Sequence, residues 1–279
     1  MGRPFLYATC TRAGDATRSE LTAPVSTSVW QYPVCVSGAD LPSKSHINRC
    51  GELVRGYVYD SLDVSTDQLN EALRVITDFR AAHAYPLAKV RLGLRSMVQT
   101  ENATEVIGQR LKRIPRIIRK LQRTVDSPTG RTTLARLEDI GGVRAVFKDG
   151  AELDRVRRRI EKNWRSSFRR ERDYIATPKD IGYRAVHYVV VRDGRAIEVQ
   201  LRTRGQQQWA EAAEAADARL GSRGVNLKDA DAPAVMLEYF RAAGELIYHR
   251  EYGLAIPSEL EDRFATARIA VVRDNYYSA

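Results

Sequence analysis

Asp193-Gly194 separates two runs rich in β-branched and aromatic residues, Tyr183 to Arg192 and Ala196 to Thr203. Asp-Gly is a favoured two-residue hairpin dipeptide, so the two runs are expected to pair as contiguous antiparallel strands. That excludes a doubly wound nucleotide fold. The chain also has neither GxxxxGK[ST] nor GxGxxG. If nucleotides bind, basic side chains rather than a glycine-rich loop must hold the phosphates.

Around this hairpin the pattern is mostly helical. Ser65-Thr66-Asp67-Gln68 reads as a capped start, with Leu69, Leu73, Ile76 and Phe79 following at helical spacing. Leu87, Val90, Leu94 and Val98 predict a second helix after the interruption at His83 to Pro86. Val106 to Leu121 reads as a strongly basic third helix, which Pro115 should kink or restart. Asp126 to Arg131 reads as a loop, Val143 to Phe147 as a strand, Glu152 to Trp164 as a helix and Phe168 to Ile175 as extended. Helices are then expected at Gln206 to Leu220, Ala234 to Tyr252 and Pro257 to Arg273, with a linker over Gly221 to Asp231. The first sixty residues are uneven, with four prolines and a few short extended pieces such as Val29 to Val36.

The expected class is α+β: a small mixed, largely antiparallel sheet of about five strands flanked by helices, with helical N- and C-terminal extensions. The expected divisions are an irregular region over 1–64, a helical lead-in over 65–105, a catalytic domain over 106–222 and C-terminal helices over 223–279.

Charge narrows the partners. Lys and Arg number 45 against 35 Asp and Glu, leaving +10 and a pI near 9.6. Such a surplus favours nucleic acid, nucleotide phosphates or an acidic protein, with a bias towards Arg codons as the plainer reading. No run of about 18 apolar residues exists, so no membrane span is expected. Met1 to Cys10 lacks the pattern of a secretory signal. Cys10, Cys35 and Cys50 include no CxxC, and His46, His83, His187 and His249 no HxxxH, so the default is a reduced, cytoplasmic protein without a structural metal.

Four stretches could carry chemistry. Alternation along Ile197 to Thr203 puts Ile197, Val199 and Leu201 on one face and Glu198, Gln200 and Arg202 on the other. An acid, an amide and a guanidinium in a row suggest a cleft wall; the alternative is an exposed sheet face with ordinary cross-strand pairs. Asp139 stands at the mouth of the strand that carries Arg144, and Asp139 with Glu198 could hold a magnesium ion. The plainer role for Asp139 is a cap. Pro178 and Gly182 bracket a loop presenting Lys179 and Tyr183, with Tyr183 and His187 on one strand face. Tyr183 could stack on a base or face the core, and for His187 a satisfied buried histidine is the plainer reading. Arg110, Lys112, Arg113, Arg116, Arg119 and Lys120 decorate the basic helix, which could equally be a solvated or membrane-surface face.

The order of these blocks is more specific than any one of them. R-x-K…K, then D-I-x-G-x-R, then D-Y-I-x-x-P-K-x-x-G-Y-R-x-x-H, then E-V-Q-L-R-T resembles the synthetase domain of the RelA/SpoT family of alarmone synthetases, over about residues 106 to 220. Ser43 to Arg49 and His83 to Leu87 resemble the upstream region of the toxic small synthetases of phages and prophages. No second hydrolase domain rich in His and Asp is seen, as in a small single-function member.

The resemblance implies a nucleotidyltransferase-like synthetase fold and transfer of the β,γ-pyrophosphate of ATP to a ribose hydroxyl, with Mg2+ and release of AMP. It places Arg110, Lys112 and Lys120 on the ATP phosphates, helped by Arg113 and Arg116. Asp139 would ligate the metal, and Glu198 would ligate it or act as general base. Arg144, Lys179 and Arg202 would balance phosphate charge, Tyr183 would stack on the acceptor base, and Gln200 and His187 would support the site. Two positions depart. Ile181 stands where members that use GTP or GDP carry Asn, and Trp209-Ala210-Glu211 is followed by Glu214-Ala215 without the usual His. Both leave the ATP half intact and bear on the acceptor. Three functions follow: a toxin modifying the 3′ CCA end of tRNA and held by an antitoxin protein, a synthetase of ppGpp, pppGpp or ppApp from GDP, GTP or AMP-type nucleotides, or a silent RNA-binding module.

Overall fold

A computed structural model describes residues 41–125, 130–220, 227 and 232–274. Its centre is a five-stranded sheet: β1 (Glu105–Leu111), β2 (Gly141–Phe147), β3 (Phe168–Asp173), β4 (Val186–Arg192) and β5 (Arg195–Thr203), in the order β1-β2-β5-β4-β3. Only the β2–β5 contact is parallel. The β4–β5 hairpin turns at Asp193-Gly194, both at positive φ (49° and 72°), as a tight Asp-Gly turn requires.

Along β2 burial alternates: Val143, Ala145 and Phe147 point inward and Gly142, Arg144 and Val146 the other way. Ile197, Val199 and Leu201 of β5 continue the inward face. Against it pack α3 (Ala84–Thr100), through Leu87, Val90, Leu94 and Val98, and α5 (Gly150–Trp164), through Leu153, Val156 and Ile160. The opposite face carries Arg144 of β2 and Glu198, Gln200 and Arg202 of β5 beside the valines Val146 and Val189.

A second apolar cluster joins α1 (Lys44–Tyr59), α2 (Thr66–Ala81) and α4 (Ile114–Arg123). Buried Arg55 ties α1 to α4 by donating to Gln122 Oε1 at 2.7 Å. A third cluster joins α6 (Arg204–Leu220), α7 (Ala234–Glu251) and α8 (Ser258–Arg273).

Most of the expected elements are present, and Ser65 starts α2 with a full capping box. Two expectations are corrected. The stretch expected as one helix from Val106 to Leu121 is a strand followed by a helix. Residues 105–111 pair with β2 along their whole length, which gives them the backbone partners a strand needs, and the helix starts only at Ile114 with Pro115 in its first turn. Lys44–Tyr59 is helical rather than irregular: Ser43 caps it by accepting from His46 N–H, and Ile47, Cys50 and Val54 bury one stripe. The extended piece proposed at 29–36 and most of the 221–231 linker lie outside the described residues.

Candidate active site

The polar face of the sheet gathers most of the residues singled out in the sequence. Cross-strand register sets Arg144 of β2 and His187 of β4 on either side of Gln200 of β5. Gly142 sits beside Glu198 and opposite Arg110 of β1. Arg172 of β3 lies opposite His187.

A continuous hydrogen-bond chain crosses this face. Arg202 Nη2 donates to Tyr183 Oη at 2.8 Å, Tyr183 Oη lies 2.6 Å from His187 Nε2, and His187 Nδ1 lies 3.2 Å from Glu198 Oε1. Tyr183 Oη and Glu198 thus stand at the two ring nitrogens of His187, one on each side. Gln200 Nε2 donates to the other carboxylate oxygen at 2.7 Å. Burial pushes the Glu198 carboxyl up most strongly, but His187 and Gln200 together outweigh it and hold the group below its ordinary range, while Asp139 pushes against them. Glu198 and Asp139 therefore feel one another's charge.

Asp139 lies just before β2. Its Oδ2 accepts from Lys112, at the end of β1, and from Lys120 of α4 at 2.8 Å. Burial would raise this carboxyl; Lys120 and Lys112 overcome that and hold it low. Its Oδ1 is buried without a partner. Among the described residues no three His, Cys, Asp or Glu side chains converge as a metal site. A magnesium ion, however, is usually held by one or two carboxylates plus phosphate oxygens and water. The unpartnered Oδ1 and the neighbouring Glu198 fit such an ion.

The cations beside this pair are crowded. Burial, then Arg202 and Arg110, push the Arg144 guanidinium down from its ordinary value. The Nε of Arg144, the Nε of Arg202 and the Oε1 of Gln200 are all buried without a partner. Unpaired donors of like charge in one place are costly unless an anion arrives to accept from them.

Not every expected residue converges. Arg113 and Arg116 are exposed and, among the described residues, make no ion pair. Lys179 places its ammonium 5.0 Å from the ring centroid of Tyr174 and 5.4 Å from that of Tyr183. Tyr183 precedes β4 rather than lying on it, and its half-buried ring meets Tyr174 and Trp209. Ile181 does not face this cleft. It is buried in the cluster of Trp209, Met236 and Phe240, so it is not an apolar stand-in for a base-reading amide.

Four residues were missed. Tyr174 packs edge-on to both Tyr183 and His187. Gln207 of α6 accepts from Arg202 Nη1 at 2.9 Å, Glu214 of the same helix supports the Arg144 charge, and Arg172 flanks His187. The D-Y-I block already contained the first; Gln207 and Glu214 needed the path of α6.

Residues 109–221 match the family described as a region found in RelA and SpoT proteins. That match covers less than half of the chain. Among curated relatives, a guanosine-3′,5′-bis(diphosphate) 3′-pyrophosphohydrolase of Borreliella burgdorferi is 29% identical over 119 residues, 42% of this chain and 17% of that protein. A GTP pyrophosphokinase of Brucella ovis is 28% identical over 139 residues, 50% of this chain and 18% of that protein. This chain therefore matches less than a fifth of those relatives' length. Among solved structures, small alarmone synthetase 2 of Bacillus subtilis matches with a TM-score of 0.50 and 20% identity, over 63% of this chain and 94% of that one, a likeness of fold. The matched stretch runs from Gln109 in β1 through α6, and so includes every residue of the polar face named above.

Proposed function

We propose that the polar face transfers the β,γ-pyrophosphate of ATP to a ribose hydroxyl. The observation that carries this reading is the set of unpartnered buried atoms: guanidinium nitrogens of Arg144 and Arg202 on one side, the Asp139 Oδ1 on the other, with a low-pKa carboxylate between. A polyphosphate with its metal satisfies both signs at once.

The acceptor oxygen forms a bond to the β-phosphorus as the bond from that phosphorus to the α–β bridging oxygen breaks, and AMP departs. The hydroxyl proton passes to Glu198, which His187, Tyr183 and Arg202 hold in place. A carboxylate held this low is a weak base, so it orients the hydroxyl and takes the proton late, as charge develops. Asp139 and Glu198 would hold magnesium, which would neutralise charge on the phosphates. Arg110, Arg144, Lys112 and Lys120 bind the phosphates, and positioning with charge stabilisation supplies most of the acceleration. Lys112 and Lys120, now on Asp139, are close enough to turn from the carboxylate to the incoming phosphates. Tyr183 and Lys179 form the acceptor side.

For the acceptor we favour the 3′ CCA end of tRNA over GDP, GTP or AMP. The net charge of +10 supports a polyanion, and exposed Arg113, Arg116 and Arg119 offer cations next to the site. Arg155 to Arg159 do not serve: α5 packs on the other face of the sheet, with Arg157 held by Glu161 and Asp173 and Arg159 by Glu101. Such a tRNA-modifying enzyme would act in the cytoplasm, where an antitoxin could restrain it. Offering the protein labelled ATP with tRNA and with free nucleotides separates these acceptors. Label on GDP or GTP and none on tRNA favours alarmone synthesis, and label on neither favours the silent RNA-binding module.

A further inference from the structure

The loop that presents Lys179 and Tyr183 lies with its backbone directly against α7. Gly182 has φ +87°, and a Cβ there would stand 2.8 Å from Arg241 Cα and 2.9 Å from the Phe240 carbonyl oxygen. From the other side, a Cβ on Gly244 would stand 2.3 Å from the Gly182 carbonyl oxygen. Two glycines, one on each partner, thus permit a backbone-to-backbone approach that no side chain would survive. Polar contacts fix the same seat. Arg241 Nε donates to the Asp180 carbonyl at 2.9 Å, and Trp209 Nε1 donates to the Phe240 carbonyl at 2.8 Å, beneath Ile181. Within the loop, Gly182 N–H donates to Lys179 O at 2.7 Å and Lys179 N–H to Tyr183 O at 3.2 Å. The loop is closed on itself and clamped from below.

We infer that α7 is the seat of the acceptor loop, with Gly244 and Arg241 acting as positioning residues for Tyr183 and Lys179. The inference rests on the proposed transfer reaction for its kinetic consequence but not for its structural one. α7 lies outside residues 109–221, so the matched stretch borrows this support from the C-terminal helices. The ATP side has no such dependence: Asp139, Lys112, Lys120 and Arg144 are carried by β1, β2, α4 and the turns between them. Displacing α7 should therefore weaken acceptor use selectively.

The test uses the full chain with Gly244→Ala, which forces the backbones apart, and Arg241→Ala, which removes one exposed donor and should leave the fold intact. Hydrogen exchange is read first, because it needs no activity. Amides of residues 179–183 should exchange faster in both variants, while those of β2 and β5 keep wild-type protection. Kinetics follow on whichever acceptor the wild type labels. For Gly244→Ala the KM for acceptor should rise roughly tenfold or more, as for a displaced positioning group, with the KM for ATP unchanged; Arg241→Ala should show a smaller rise of the same kind. Wild-type exchange at 179–183 in both variants would overturn the inference, as would equal losses for ATP and acceptor. Faster exchange with no transfer by the wild type to any acceptor would instead support the seat and remove the reaction.

Discussion

Glu198 shows how a single residue is made functional by its neighbours. Alternation on β5 sends it to the polar face, and Gln200 and His187 hold both its oxygens and together keep it ionised despite burial. Glu198→Gln and Asp139→Asn should each reduce transfer on the order of 10²-fold or more while circular dichroism stays unchanged, as for removal of a general base or metal ligand. Near wild-type turnover by either would remove it from the reaction. His187→Ala takes away the donor that lowers the Glu198 carboxyl and leaves the burial that raises it. The acid limb of the rate profile should then move to higher pH, because more Glu198 is protonated at any given pH. An acid limb at the wild-type position would break the proposed chain. At this scale the sequence was informative: strand alternation alone separated Glu198, Gln200 and Arg202 from the core residues between them. Ile181 was not legible, because its direction depends on α7, some sixty residues later. Ile181→Asn should not improve use of a guanine nucleotide. It should destabilise the fold by roughly 2–3 kcal/mol, the cost of an amide buried among Trp209 and Phe240 without a partner, as thermal unfolding would read.

Elements were legible where their pattern was local. The Asp-Gly hairpin and the capped start of α2 depend on neighbouring residues, and both stand as expected. β1 was misread because apolar and basic residues over 106–121 satisfy a helical period as well as a strand one, and only pairing with β2 decides between them. The junction of α2 and α3 carries its own signature. His83 is buried, its Nδ1 lies 2.8 Å from the Phe79 carbonyl, and burial lowers it to about 4. Below an unfolded value near 6.5 the unfolded chain binds a proton that the folded one refuses until about pH 4. Stability is therefore full above 6.5 and falls as pH drops towards 4, by about 3 kcal/mol at roughly 1.4 kcal/mol per unit. Unfolding midpoints followed from pH 7 to 4 should show that loss, and His83→Gln should flatten it. An equally steep fall in the variant would assign the effect to other groups.

At the scale of the whole molecule, the sheet divides labour between its two faces. α3 and α5 fill one with apolar side chains, which leaves the other free to carry opposed charges at a density a core could not hold. The net charge was visible in the composition, but which arginines face the site was not, since Arg157 and Arg159 are spent on ion pairs behind the sheet. If tRNA is the acceptor, its labelling should fall steeply with salt, with a log–log slope of about −0.7 per phosphate neutralised on single-stranded segments, whereas a free nucleotide should respond far less. Charge reversal at Arg116 and Arg119 should weaken tRNA labelling and spare ATP binding. ATP labelled in the γ-phosphate reports on the transfer itself. AMP and labelled acceptor should form in equal amounts, dependent on magnesium and lost in Glu198→Gln. Release of the label as inorganic phosphate with ADP, or AMP formed equally well by Glu198→Gln, would contradict it.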